Sequence, residues 1–363
     1  MNKTKVIPIF IPHAGCPHNC IFCNQKKISG KEDAPTISQT TQIIEDALET
    51  IDNNKYKIIL AFYGGSFTAI DDYLQEQYLS IAQGYKQLGK IQKIRLSTRP
   101  DYIDEERIQL LYKYGVDHIE LGVQSTDARV LSACRREYDI RTIENAVQNI
   151  QKYHMQYGFQ MMLGLPEDSK KKIIKTSFYL LSLNPSTMRV YPTLVIKDTE
   201  LETRYKRNQY LPLTLENAIE YALIPYIIFS RIQCHFLRIG LHPSESLLYE
   251  DNVVAGPFHS AFGELVQSRL YWHMIKRFVE ENNIRKKQVI ISAHLSNFSK
   301  ISGNKGENRK KLAEFFDITL KLEQVPAQNN DIIIEYDHKK MTLSTQDYCN
   351  NAIQGYMDLI KQS

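Results

Sequence analysis

The stretch KVIPIFIPHAGCPHNCIFC, Lys5 to Cys23, joins an apolar, β-branched run to three cysteines packed into eight positions. The run Lys5–Ile11, broken by a proline and feeding straight into the cysteines, reads as a buried strand rather than as a signal peptide. Cys16, Cys20 and Cys23 follow as C-x-x-x-C-x-x-C. Thiolates at this spacing suit zinc or an iron–sulfur cluster. A structural zinc site wants four ligands. The next cysteine, Cys134, is remote, but His13 and His18 would complete such a set. Three local cysteines would otherwise hold three irons of a 4Fe–4S cluster and leave the fourth iron open. The residues alone leave both choices standing.

Outward from this loop, apolar β-rich runs recur at KIILAFY, KIRLS, GVDHIELGV, YGFQMMLG and STMRVYPTLVI. Helix-like segments such as ISQTTQIIEDALETI, DEERIQLLYKY and TIENAVQNIQKYH lie between them. Six strand–helix repeats mean right-handed βαβ units and a parallel sheet, either open and doubly wound or most of a barrel. The chain is 363 residues, 43% hydrophobic and 24% charged, which is a globular composition. The formal charge of +4 gives no ground by itself for a nucleic-acid or membrane partner. No apolar run reaches about 18 residues, so no spanning helix and no membrane partner are expected, and a cytoplasmic location is. Six cysteines in such a chain read as ligands, redox groups or small core residues.

The rhythm changes after about residue 243. A first domain over 1–249 and a small C-terminal α+β domain over 250–363 are expected. The latter carries Gly303-Asn304-Lys305-Gly306 between two predicted helices, followed by a strand. That order resembles a KH module, whose G-x-x-G loop clamps nucleotide backbone. Bare glycines let phosphates approach, and Lys305, Arg309, Lys310 and Lys311 add charge. A simple polar turn and a solvated helix face would read the same way.

Ends of the predicted strands carry unusual sequences: YGGSFT (Tyr63–Thr68), STRPD (Ser97–Asp101), GVQS (Gly122–Ser125), GLPE (Gly164–Glu167) and YPTLV (Tyr191–Val195). In a β/α barrel, ligands sit at that end of the strands. The cysteine spacing, with Phe22 just before the third cysteine, resembles the signature of the radical S-adenosylmethionine (SAM) superfamily. The resemblance implies a partial (β/α)6 TIM-like barrel, a 4Fe–4S cluster on Cys16, Cys20 and Cys23, and SAM chelated by the open iron. One electron would then cleave the sulfonium to a 5′-deoxyadenosyl radical. It implies that Gly64, Gly65 and Ser66 face the SAM amino group. Gln124 and Ser125 suit the ribose hydroxyls, with Ser125 or Thr126 otherwise read as a helix N-cap, and Arg136 suits the carboxylate, otherwise reading as a solvated surface arginine. Ser97 stands where many relatives carry glutamate. Gln160, polar in an apolar strand, needs a partner, either the ribose or a core neighbour. A one-electron donor such as a flavodoxin or ferredoxin is implied as well.

The stretches FYGGSFT, STRPDYID, IELGVQS, MMLGLPEDS and RVYPTLVIKDTELETRYKRNQYLPLT resemble the catalytic subunit of Elongator and its bacterial relatives over roughly residues 5–270. The resemblance implies tRNA as substrate, modified at a base carbon. The C-terminal third reads as too short for that family's acetyltransferase domain, so acetyl-CoA chemistry is not carried over. The coproporphyrinogen-oxidising branch shares GVQS and GLP, which keeps a tetrapyrrole or peptide substrate as the alternative. Cys134, Cys234 and Cys349 read as structural or surface thiols, with a thiyl radical or methyl carrier as the alternative for one of them. His242 and His259 read as part of segments that close the barrel facing the active site, or as packing, and Tyr63 and Tyr191 as core packing, with radical relay or base stacking as the alternative.

Overall fold

The structure is a computed structural model that describes residues 3–12, 18–31, 33–52, 55–241, 252–326 and 330–361. His13, Cys16 and His242 lie outside the described residues. A seven-stranded parallel sheet dominates it. Its strands are β1 (Lys3–Phe10), β2 (Tyr56–Tyr63), β3 (Lys93–Thr98), β4 (His118–Gln124), β5 (Gln156–Leu163), β6 (Thr187–Pro192) and β8 (His235–Ile239). They pair in the order β1-β2-β3-β4-β5-β6-β8. The short β7 (Val195–Ile196) pairs antiparallel with β9 (Val253–Ala255) outside that sheet. The connecting helices are α1 (Gln25–Ser29), α2 (Ile37–Thr50), α3 (Asp72–Gln87), α4 (Glu105–Lys113), α5 (Ala128–Ala133), α6 (Ile140–Lys152), α7 (Lys170–Ser182), α8 (Glu200–Lys206) and α9 (Leu215–Ile228).

Local chemistry explains these helices. Thr36 and Gln39 form a reciprocal capping box at the start of α2. Asp139 caps α6, whose Ile143, Ala146, Val147 and Ile150 form one apolar stripe against the sheet. The opposite sheet face shows how the strands curl. Arg189 on β6 donates from Nη2 to Tyr63 Oη on β2 at 2.9 Å. In a flat sheet those strands would lie about 19 Å apart, at about 4.8 Å per strand. The sheet is therefore rolled into a half-barrel, and Arg189 and Tyr63 meet in its lumen. Alternate residues, such as Ile94, Leu96, Ile119, Leu121, Met188 and Val190, are buried on the helix side.

The fold is the partial barrel read from the sequence, with one strand more. HFLRI, which forms β8, is half-exposed along its length. It lacks the apolar block that marks a strand buried on both faces.

The C-terminal segment builds a second sheet. Helix α10 (Phe262–Glu281) buries Leu265, Val266, Leu270, Tyr271, Met274, Ile275 and Phe278. After it come β10 (Lys287–Ala293), α11 (Phe298–Ser302), α12 (Glu307–Phe316), β11 (Ile318–Gln324), β12 (Ile332–Tyr336), β13 (Lys339–Leu343) and α13 (Thr345–Lys361). The strand order is β11-β10-β12-β13, with β10 and β11 parallel. The GNKG turn sits between α11 and α12. Strand β13 and helix α13 were not legible. KKMTL is almost wholly exposed, and the glycine and paired asparagines in α13 weaken its helical pattern.

Candidate active site

Each of the strand-end sequences falls at the C-terminal end of its strand, on one rim of the half-barrel. The described part of the cysteine loop lies on that rim. The Cys20 thiol is buried, 7% exposed. Two guanidinium groups converge on its Sγ: Arg99 Nη1 at 3.6 Å and Arg136 Nη1 at 3.5 Å. Cys23 Sγ accepts from Gln25 Nε2 at 3.4 Å. Arg99 is held by a bidentate pair with Asp101, at 2.8 and 2.6 Å. Arg136 also donates to the Gly122 carbonyl oxygen. Both arginines stack on the Tyr138 ring, at 5.5 and 5.3 Å from its centroid. Burial works against the Arg136 charge, but Tyr138 and Cys20 outweigh it and hold its pKa above the ordinary guanidinium value. His18 contacts Tyr102 Oη at 2.9 Å, and burial together with Arg99 lowers its pKa.

This pocket fits a thiolate-held anionic group. Its charge is positive at the sulfur, and Arg136 Nε is a buried donor without a hydrogen-bond acceptor. Such an orphan costs about 1–3 kcal/mol unless something accepts from it. Among the described residues no group of three histidine, cysteine or acidic side chains is arranged for a metal; Cys16 lies outside them.

The later part of the barrel clamps the cysteine loop. Leu201 N donates to Ile21 O at 2.8 Å, and Asn24 Nδ2 donates to Lys197 O at 3.2 Å. Ile21, Val130, Cys134, Leu165, Val195 and Leu201 form a small core, with Phe22 packed against it. Cys134 is therefore a packed thiol; burial pushes its pKa up to about 12. Burial does the same for Cys234, to about 12, and raises Cys349. All three behave as the structural thiols read from the sequence.

The other candidates divide. Gly64 adopts φ +106°, and a Cβ there would lie 2.9 Å from the Ile11 backbone. That glycine serves the close approach of its loop to the end of β1. Ser66 is buried at the start of a short 3-10 turn and makes no cap bond. Ser97 is half-buried on the lumen face of β3. Gln124 has φ 71° at the bulge ending β4. Gln160 Nε2 donates to its Oε1 at 3.4 Å, so Gln160 has a protein partner. Neither Ser125 nor Thr126 caps the next helix. Asp127 does, accepting from the backbone of Arg129 and Val130, while Ser125 Oγ accepts from Asp127 N. His259 Nδ1 accepts from Ala261 N at 3.1 Å, a local turn.

The sequence reading missed a lumen network. Glu120 on β4 is 3% exposed and lies between Arg95 Nε, at 3.0 Å, and Arg189 Nε. Arg95 Nη2 donates to Tyr63 Oη at 2.7 Å, and Arg189 Nη1 to Tyr191 Oη at 2.9 Å. Below it, His118 meets Thr187 Oγ1 at 2.9 Å. Burial, reinforced by Arg95, lowers the His118 pKa to about 3. The signal was available: single charges at alternate positions of KIRLST, HIELGV and MRVYP.

The GNKG turn is remote from this rim in sequence and belongs to the second sheet. Gly303 has φ 80° and ψ 162°, and a Cβ there would lie 2.7 Å from Asn308 N. Asn308 Nδ2 ties the turn to Ser268, Lys300 and Ile301. Gly306 starts α12 with no side-chain cap. Asn304, Lys305, Arg309 and Lys310 are exposed. Lys311 is occupied instead by Glu307 and lies 5.6 Å from the Trp272 ring centroid.

Comparison with known proteins agrees with this architecture. The family model described as the radical SAM superfamily matches residues 10–180. One described as the radical SAM C-terminal domain matches 185–271. The chain is 29% identical over 316 residues to a tRNA uridine(34) acetyltransferase of Methanocaldococcus jannaschii, covering 76% of this chain and 57% of that protein. It is 29% identical over 260 residues to the protein of that name from Methanocaldococcus infernus, covering 61% and 48%. The chain thus spans about half the length of the curated relatives it matches. The solved structure of archaeal Elp3 from M. infernus, lacking its N-terminal 46 residues, superposes with a TM-score of 0.56 at 22% identity, covering 78% of this chain and 64% of that one. No helix among the described residues is long and apolar enough to cross a membrane. The half-barrel, the cationic pocket at its cysteine loop and the two family matches lead to one conclusion: the chain belongs to the radical SAM superfamily and is a radical SAM enzyme, whose cofactors are a 4Fe–4S cluster and SAM.

Proposed function

We propose that the enzyme modifies a base carbon of RNA, with tRNA as the substrate. The observation that carries this reading is the GNKG turn, with Asn304 and Lys305 exposed, set between two helices and followed by the parallel strand β11. Lys305, Arg309 and Lys310 surround it with exposed positive charge. The names of the relatives, tRNA uridine(34) acetyltransferases, support the same substrate class. The acetyl-transfer step is not carried over.

Cys16, Cys20 and Cys23 would hold the cluster. When bound, the cluster and SAM supply one-electron cleavage of the sulfonium and a 5′-deoxyadenosyl radical. The chain's own residues do the rest. Arg99 and Arg136 place two guanidinium donors on the Cys20 sulfur, and Arg136 Nε would keep one donor for the SAM carboxylate. Gly64, Gly65 and Ser66 would receive the amino group, and Gln124 and Ser125 the ribose, with Ser97 and Gln160 beside them. Phe22 packs the loop against the small core and excludes water from the sulfurs. A flavodoxin or ferredoxin would deliver the electron.

The test is 5′-deoxyadenosine production by anaerobically reconstituted protein with dithionite and SAM, with and without bulk tRNA. Product stimulated by tRNA supports the reading. Product indifferent to tRNA turns the search to small molecules or peptides. Absence of product, with zinc bound in place of iron, removes the proposed chemistry.

A further inference from the structure

We infer that the lumen holds an anion pocket at Arg238 and Arg189, which takes a carboxylate or phosphate group of the substrate. This rests on the function proposed above.

Arg189 on β6 and Arg238 on β8 are register partners just past a bulge in a parallel pair, and the charges of Arg189 and Tyr191 act on Arg238. Partners in register project to the same face of a sheet. The bonds from Arg189 to Glu120 and Tyr63 identify that face as the lumen. Two like charges side by side across strands destabilise a sheet unless something lies between them.

Among the described residues little offsets them. Arg95 and Arg189 share one carboxylate, Glu120. Both of its oxygens are taken, by Arg95 and Arg189. Arg238 Nε donates to its neighbour's backbone, Gly240 O, at 3.3 Å. Its terminal nitrogens have no carboxylate partner among the described residues. Tyr191 already accepts from Arg189. His118 stays neutral and adds nothing.

Position matches this purpose. Arg238 is half-buried. The residues proposed for SAM lie on β2 to β5, so a substrate anchored on β6 and β8 would face them across the lumen. A guanidinium fork takes either a carboxylate or a phosphate. A phosphate would come from the RNA itself, and a carboxylate from a small organic acid.

The experiment is equilibrium dialysis of the cluster-loaded protein against inorganic phosphate and against acetate, at constant ionic strength, with melting temperatures measured in parallel. The wild type is expected to bind one equivalent of at least one anion. Arg238→Gln should weaken that binding at least tenfold, and Arg238→Lys by less. Without added anion, Arg238→Gln should melt at or above the wild-type temperature, because a like charge beside Arg189 is gone. Preference for phosphate assigns the pocket to the nucleic-acid backbone, and preference for acetate assigns it to an organic acid. Unchanged affinity in Arg238→Gln overturns the inference. So does absence of saturable binding to the wild type, or a melting temperature well below wild type without anion. None of these readouts involves RNA or SAM cleavage, so each can fail while the proposed function stands.

Discussion

Two clusters of arginines, one in the lumen and one at the cysteine loop, solve the problem of shielded charge differently. In the lumen, Arg95 and Arg189 close on Glu120, a carboxylate of the chain itself. At the cysteine loop, Arg99 has Asp101, but Arg136 has, among the described residues, a thiol, a carbonyl and the ring and hydroxyl of Tyr138. In the lumen both carboxylate oxygens are engaged by arginines. At the rim no carboxylate pairs with Arg136 among the described residues. The contrast separates charges paired by the chain's own carboxylate from a charge that is not, although both clusters consist of the same residue type.

The largest test of this contrast is Cys20→Ala. It should remove the brown colour and SAM cleavage altogether, while the apo protein's stability moves by no more than about 1 kcal/mol. Iron content and urea unfolding report the two halves. Iron retained at the wild-type level would end the cluster assignment. Next in size is Glu120→Gln, which strips the lumen arginines of their carboxylate. A loss of about 3–5 kcal/mol is expected in urea unfolding. A loss below about 1 kcal/mol would mean that the network is not self-contained.

The third test uses pH. His118 ionises near 6.5 in the unfolded chain and at about 3 in the fold. Below pH 6.5 the unfolded chain takes up a proton that the folded chain refuses. The stability contributed by neutral His118 is thus whole above pH 6.5. It is lost as pH falls toward 3, at about 1.4 kcal/mol per pH unit. His118→Gln should flatten the stability profile between pH 6 and 4; parallel profiles would contradict the assignment. The smallest effect is expected outside the barrel. Lys305→Glu should weaken tRNA binding by about three- to tenfold, with a shallower salt dependence, and leave uncoupled SAM cleavage intact. Binding measured by filter retention that does not move would remove the GNKG turn from the RNA reading.

Much of the fold was legible because βαβ repetition is a local signal. Apolar strand blocks and amphipathic helices announced β1 to β6. Strand β8 escaped because it is half-exposed and short. The site was partly legible for a similar reason. Cys16, Cys20 and Cys23 are neighbours in the chain, so their spacing speaks for them. Arg136 was read from its motif as a ligand contact, but its burial against Cys20 spans 116 positions. Ser125 looked like a cap, yet Asp127, two residues on, has the better geometry.

The sequence by itself therefore determined the repeat architecture, the cysteine loop and the rim where the strand-end motifs gather. These follow from spacing and periodicity, which are properties of consecutive residues. Only the tertiary structure decided which charges neutralise each other. Curling of the sheet brings β6 to β2 and β4, and that closure set Glu120 between two arginines. It also left Arg238 without a carboxylate among the described residues. Electrostatic partnership depends on distance through space and on burial, and neither is written in the order of the residues.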